Sequence, residues 1–208
     1  MRGAVILAGG RGTRIGANKH LTLLGGKPLM EHVIERAAMV VDELVVVLKN
    51  DDDCSLYENV LSPSVKLVKD KIPSDAPLVG IMTGGQALKS EYSAFLSCDL
   101  VFLNYGVLDF LFKQAEGVDA VIPRWPSGFV EPLHAIYRTT AAAQAAATAL
   151  QSKEHRSTAV ANRLNKVRYV NVEELKKFDP ELLTFFNVNT PEDLAKAEQL
   201  VRKSNSNL

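Results

Sequence analysis

Between Ala4 and Lys19 the chain reads AVILAGGRGTRIGANK, so Gly9, Gly10, Gly12 and Gly16 are interleaved with Arg11, Arg14 and Lys19. Glycines without Cβ let backbone N–H groups come close to phosphate oxygens and permit positive φ, and cations neutralise the charge of the phosphates. The chemistry this composition can do is to hold a polyphosphate. Two familiar glycine loops do not fit. A dinucleotide fingerprint started at Gly10 meets Ile15 where its third glycine belongs. A phosphate loop of the Walker type, read backwards from Gly26-Lys27, has Leu21 in place of its first glycine and Pro28 in place of its hydroxyl residue.

Other side chains fall where chemistry is expected. Asp99 follows an apolar segment, Ser93 to Ser97, and a carboxylate at the carboxyl end of a central strand can hold Mg²⁺, which prefers oxygen ligands. Its alternative role is to cap the next helix. Glu131 is open as a second carboxylate beside Asp99. His134 alternates with apolar residues and reads as core-facing or hydrogen-bonded. Asn187 and Asn189, two apart in an extended segment, would point the same way and are candidates for binding a second substrate. Asp51, Asp52 and Asp53 read as a solvated turn and helix start.

The elements that must position these groups alternate. Val5 to Leu7, Glu43 to Leu48, Val65 to Val68, Ser93 to Ser97, Val118 to Ile122 and Val167 to Val170 read as strands. Helices are expected after Pro28, through Leu88, over the alanine-rich Thr139 to Leu150, from Ser157 to Leu164 and from Thr190-Pro191 onward. Phe129 to Tyr137 reads as one further strand, antiparallel because little chain separates it from the strand before. Between Lys69 and Gly80 lies a long polar connection with two prolines, a length usually associated with function. The pattern is a three-layer α/β/α, Rossmann-like fold with a mostly parallel sheet, one domain over residues 1–203 with a frayed tail at 204–208.

Composition narrows the function classes. The chain of 208 residues is 47% apolar, enough for a core, and its formal net charge is zero, against a surface that coats nucleic acid. Cys54 and Cys98 are too few for a disulfide framework and lack metal-type spacing, which fits a reducing cytoplasm. The apolar start is too short to span a membrane and lacks a signal-peptide pattern. Nucleic-acid and membrane partners are therefore not expected, and a monomer or weak homo-oligomer is.

The loop L-A-G-G-x-G-T-R-x-G-x-x-K resembles the signature of nucleotidyltransferases. With APLVGI, LSCDL, EPLHAIY and FFNVNTPEDL in the same order, the chain resembles the molybdenum cofactor guanylyltransferases nearly end to end. The resemblance implies a nucleotidyltransferase fold, Mg²⁺-GTP as donor and molybdopterin as acceptor. Leu7, Ala8, Gly9, Gly10 and Gly12 would cradle the nucleotide, Lys19 would meet phosphate and Asp70 would lie near base and ribose. Asp99 would bind Mg²⁺, and Asn187 and Asn189 would face the acceptor. Arg14, Lys19 and Asp99 are the expected catalytic groups. Three positions depart from the family pattern: Gly12-Thr13, Ala76 in place of a glycine, and Leu100-Val101 after Asp99. Guanylyl or cytidylyl transfer to cobinamide phosphate, phospholactate or a sugar-1-phosphate, and nucleotide binding without catalysis, remain alternatives.

Overall fold

The computed structural model describes residues 1–9, 19–58, 61, 65–70, 72–74 and 76–205. Its elements in chain order are β1 (Arg2–Leu7), β2 (Leu23–Leu24), β3 (Lys27–Pro28), α1 (Leu29–Ala38), β4 (Glu43–Leu48), α2 (Ser55–Glu58), β5 (Lys66–Lys69), α3 (Pro77–Ala87) and β6 (Tyr92–Ser97). There follow α4 (Tyr105–Lys113), β7 (Ala120–Arg124), β8 (His134–Arg138), α5 (Thr139–Gln151), α6 (Thr158–Ala161), β9 (Val167–Asn171) and α7 (Pro191–Asn205).

Seven strands form one sheet in the order β5-β4-β1-β6-β8-β7-β9. The pairs β5/β4, β4/β1, β1/β6 and β7/β9 are parallel, and β8 runs antiparallel to both β6 and β7. Strand order turns back at β1, so the carboxyl ends of β1 and β6 flank a topological switch point, where open α/β sheets bind ligands.

Alternation along the central strands feeds two cores. Ala4, Ile6, Val46 and Leu48 join the side chains of α1 and α4 on one face, whereas Val5, Leu7, Val45 and Val47 join α3 and α5 on the other. This period of two is what a strand buried on both faces requires. Glycines set the depth of α3: a Cβ on Gly84 would lie 2.3 Å from Val5 Cγ1, and one on Gly80 2.7 Å from Leu7 Cδ2. On its outer side Gly85 meets the alanine face of α5, where a Cβ would be 3.0 Å from that of Ala143.

Several expected boundaries move. The β8 strand begins at His134 rather than Phe129, because the Trp125–Gly128 turn and Pro132 occupy the intervening chain; only Val130 makes an isolated bridge, to Arg124. The C-terminal helix runs to Asn205, two residues into the expected tail. Its start matches expectation. Thr190 Oγ1 accepts from the Asp193 amide at 3.2 Å, and Asp193 Oδ2 accepts from the Thr190 amide at 2.9 Å, a reciprocal cap.

The contact at Gly84 makes a prediction. Gly84→Ala must push α3 off β1 and should lower stability by about 1–3 kcal/mol, read as a reduced urea midpoint with unchanged slope.

Candidate active site

Backbone pairing continues past the strand ends and fixes the floor of the site. The Ala8 amide donates to Val47 O at 2.9 Å, the Asp70 amide to Leu48 O at 2.9 Å and the Cys98 amide to Leu7 O at 3.3 Å. The residues after β1, β5 and β6 are thus held in line along one edge. Gly9 lies against Lys49, whose Cγ would be 3.2 Å from an added Cβ.

Lys19 stands in a short 3₁₀ turn, Lys19–Leu21, and is buried. Its ammonium donates to Asp99 Oδ2 at 2.6 Å and to Asn189 Oδ1 at 2.7 Å. Asp99 is buried as well, and Ser97 Oγ donates to its Oδ1 at 2.5 Å. The Val188 amide donates to Asp99 O at 3.2 Å, which ties the segment before α7 to the end of β6. Three of the expected residues therefore meet at one point.

Asp99 is not a helix cap. The next helix, α4, is capped by Asn104, whose Oδ1 accepts from Gly106 and Val107 at 2.9 and 3.1 Å. Leu100 and Val101, the departure from the family pattern, are buried: Val101 packs with Leu24, Leu29, Val188 and Ala197 under α7. Apolar residues there secure α7 against the site.

Asp70 is buried and lines a pocket of about 240 Å³ with Leu7, Gly9 and Val47 on one side and Ser74, Ala76, Pro77 and Gly80 on the other. Ser97 and Leu133 complete the wall. Asp70 Oδ1 has no hydrogen-bond partner among the described residues. Burial pushes its carboxyl above the ordinary range, with the Thr83 hydroxyl opposing. Asn50, at the end of β4, donates to Asp70 O at 3.1 Å.

The remaining candidates separate. The Asn187 amide turns back to Phe185 O at 3.0 Å, so only Asn189 reaches Lys19. Gly10, Gly12 and Arg14 lie outside the described residues. Glu131 Oε1 accepts from the Trp125 indole at 2.8 Å, and burial raises its carboxyl pKa. His134 is wholly buried, faces Thr184 Oγ1 at 3.3 Å, and its pKa falls to about 3, which leaves the ring neutral. Desolvation pushes the Cys98 thiol up to about 12, so it is no nucleophile at neutral pH. Asp52 and Asp53 accept from the Lys49 and Ser55 amides, as a turn and helix start should. Among the described residues no three His, Cys, Asp or Glu side chains are grouped to hold a metal ion.

Two features escaped the sequence reading. Ser97, two residues before Asp99 at a strand end, had a usable signal in that spacing. The His20–Tyr57 pair had none: these buried rings stack at 5.3 Å, with Nε2 and Oη 2.5 Å apart, and anchor the residue after Lys19.

Residues 4–167 match the family model described as a MobA-like NTP transferase domain. A probable molybdenum cofactor guanylyltransferase of Methanosarcina mazei is 35% identical over 93% of this chain and 88% of its own length. The chain belongs to this family. It is a nucleotidyltransferase of the molybdenum cofactor guanylyltransferase group. A second such relative, from Natronomonas pharaonis, is 34% identical over 95% of this chain and 97% of its own length. The crystal structure of molybdopterin-guanine dinucleotide biosynthesis protein A from Archaeoglobus fulgidus superposes with a TM-score of 0.83 at 31% identity, covering 98% of this chain and all of that one. The mostly parallel sheet with helices on both faces is thus the family's fold, and no helix among the described residues is long and apolar enough to cross a membrane.

Asp70 carries a pH prediction. Its folded pKa lies above the ordinary 3.8, so the folded chain holds a proton the unfolded chain has released, and stability falls as pH rises through that window. Asp70→Asn should therefore raise the melting temperature of the ligand-free protein at neutral pH and lose this advantage below pH 4, in melts recorded across that range.

Proposed function

We propose that this chain transfers the GMP part of Mg²⁺-GTP to the phosphate of molybdopterin and releases pyrophosphate. The observation that carries the reading is the meeting of Lys19, Asp99 and Asn189 at the switch point, beside a pocket that ends on a buried carboxylate with a free oxygen. The names of the relatives supply the acceptor and the base.

An acceptor phosphate is already an anionic nucleophile, so the reaction needs alignment and charge neutralisation more than a general base. One acceptor oxygen bonds to the α-phosphorus of GTP while the bond from that phosphorus to the bridging oxygen breaks, and the electron pair leaves with pyrophosphate. Lys19, and Arg14 from the glycine loop, offset the negative charge that collects on the leaving group. The pocket at Asp70 takes base and ribose, whose N–H or O–H groups satisfy the free oxygen. Asn189, held on Lys19, faces the acceptor, with Asn187 two residues before it.

The donor set fits a divalent ion of the Mg²⁺ type. Such ions are commonly bound through one or two carboxylates plus substrate phosphates, and Asp99 is the carboxylate available here. When bound, the ion screens the phosphate oxygens so that an anionic acceptor can approach. The structure pairs Asp99 with the ammonium of Lys19.

Asp99→Asn and Lys19→Ala should each lower turnover by about 100-fold or more, measured as pyrophosphate release. Asp99→Asn should also lower the melting temperature while leaving the chain folded, because the buried Lys19 ammonium keeps an acceptor but loses its counter-charge. Near-normal turnover in either variant would overturn the proposal. Ala76 lies in the pocket wall where the family usually has glycine, so calorimetric titration with GTP, CTP, ATP and UTP tests the base: preference for GTP supports guanylyl transfer, and preference for another triphosphate moves the chain to a different donor.

A further inference from the structure

We propose that Glu131, braced by Trp125, binds the 2-amino-4-oxo edge of the pterin ring of the acceptor. The inference rests on the guanylyl-transfer reading and assigns the acceptor's recognition group.

Topology places this pair on the correct side of Asp99. The pocket at Asp70 lies over the ends of β5, β4 and β1 and reaches Ser97 of β6 and Leu133, just before β8. Across β6 the next strand is β8, and because β8 is reversed it presents its beginning, not its end, at the same edge. Leu96 is level with His134, and the Ser97 amide donates to Leu133 O at 3.1 Å. Two residues further on each side come Asp99 and Glu131. The Glu131 amide donates to Pro123 O at 3.0 Å, which fixes it between β8 and the end of β7. In strand order Asp70 follows β5 and Glu131 precedes β8, so the two carboxylates belong to elements on either side of β6, which carries Asp99 at its end. A displacement at phosphorus with the attacking and leaving oxygens roughly in line requires donor and acceptor to come from different sides.

The pair itself is built for a ligand with donors. Trp125 Nε1 fixes Oε1 at 2.8 Å and sets the plane of the carboxylate, while Oε2 has no donor among the described residues. An ionised carboxylate accepts several hydrogen bonds and donates none. The pterin edge offers adjacent N–H donors, from N3 and the 2-amino group, with which a carboxylate can pair in parallel. Half-burial of the glutamate strengthens such a contact and weakens competition from water. The Trp125 ring also packs edge-on against Phe185 at 5.6 Å, and Phe185 opens the segment that continues through Asn187 to Asn189 and Lys19. Ring and phosphate of one acceptor would then be read by connected parts of the chain.

Glu131→Gln tests this with little risk to the fold, because the amide oxygen still accepts from Trp125 while its NH₂ opposes the pterin donors. We expect KM for molybdopterin to rise about 10–100-fold. The Kd for GTP, the Mg²⁺ concentration for half-maximal rate, and the melting temperature should stay within twofold or a degree or so of the parent. An unchanged KM for molybdopterin, with the parent protein active, overturns the inference alone. A raised Mg²⁺ requirement or weakened GTP binding also overturns it and moves Glu131 to the donor side. If the parent releases pyrophosphate only with a phosphorylated acceptor that lacks a pterin, both this inference and the proposed function fall.

Discussion

The ion pair between Lys19 and Asp99 is the constraint from which the rest of the site follows. Both side chains are buried, and two charges withdrawn from water are tolerable only when each finds close partners. Lys19 reaches Asn189 as well as Asp99, and Asp99 takes the Ser97 hydroxyl on its other oxygen. The network joins the exit of the glycine loop, the end of β6 and the segment before α7, which are far apart in the chain. Packing of Val101 and Val188 beneath α7 holds the third of these in place. On the proposed function, phosphate oxygens and a cation would take over from the pairing of Lys19 with Asp99, so that neither buried charge would be left alone.

The donor half of the edge depends on close backbone approach. Without side chains at Gly80 and Gly84, α3 lies close against β1, and its first turn, with Ala76 and Pro77, forms a wall of the pocket. The same helix meets α5 through Gly85 and the alanines. Small residues on α3 thus do two jobs, admitting α5 from outside and setting the pocket from inside. Burial of Asp70 in the same pocket raises its carboxyl pKa, in the direction that disfavours the ionised form in the ligand-free protein.

Much of this could be read from residue order, and the exceptions have physical causes. Apolar runs with a strand's period gave the sheet, and the glycine loop gave its working edge, because both are local patterns. Asp99 was ambiguous in sequence between cap and ligand. The position of Asn104, the true cap of α4, removes the first of these roles. Asn187 and Asn189 look equivalent two residues apart, yet a local turn to Phe185 O claims one and Lys19 claims the other. The strand expected from Phe129 was shortened by a turn and a proline whose effect depends on how β7 and β8 meet. The His20–Tyr57 contact joins positions with no shared periodicity, and nothing short of the folded chain reveals it.

Reversal of a single strand, β8, has an evolutionary consequence. Parallel strands deliver side chains to the working edge only from their ends, through connections that also carry helices. A reversed strand delivers them from the tight connection that precedes it, here residues 125–133, which carries no helix. Its exposed residues, Pro126 to Phe129, can change without touching the Lys19–Asp99 pair, whereas Leu133 is tied to that pair through Ser97. The scaffold can thereby keep one way of holding a nucleoside triphosphate while its descendants exchange the molecule to which the nucleotide is joined.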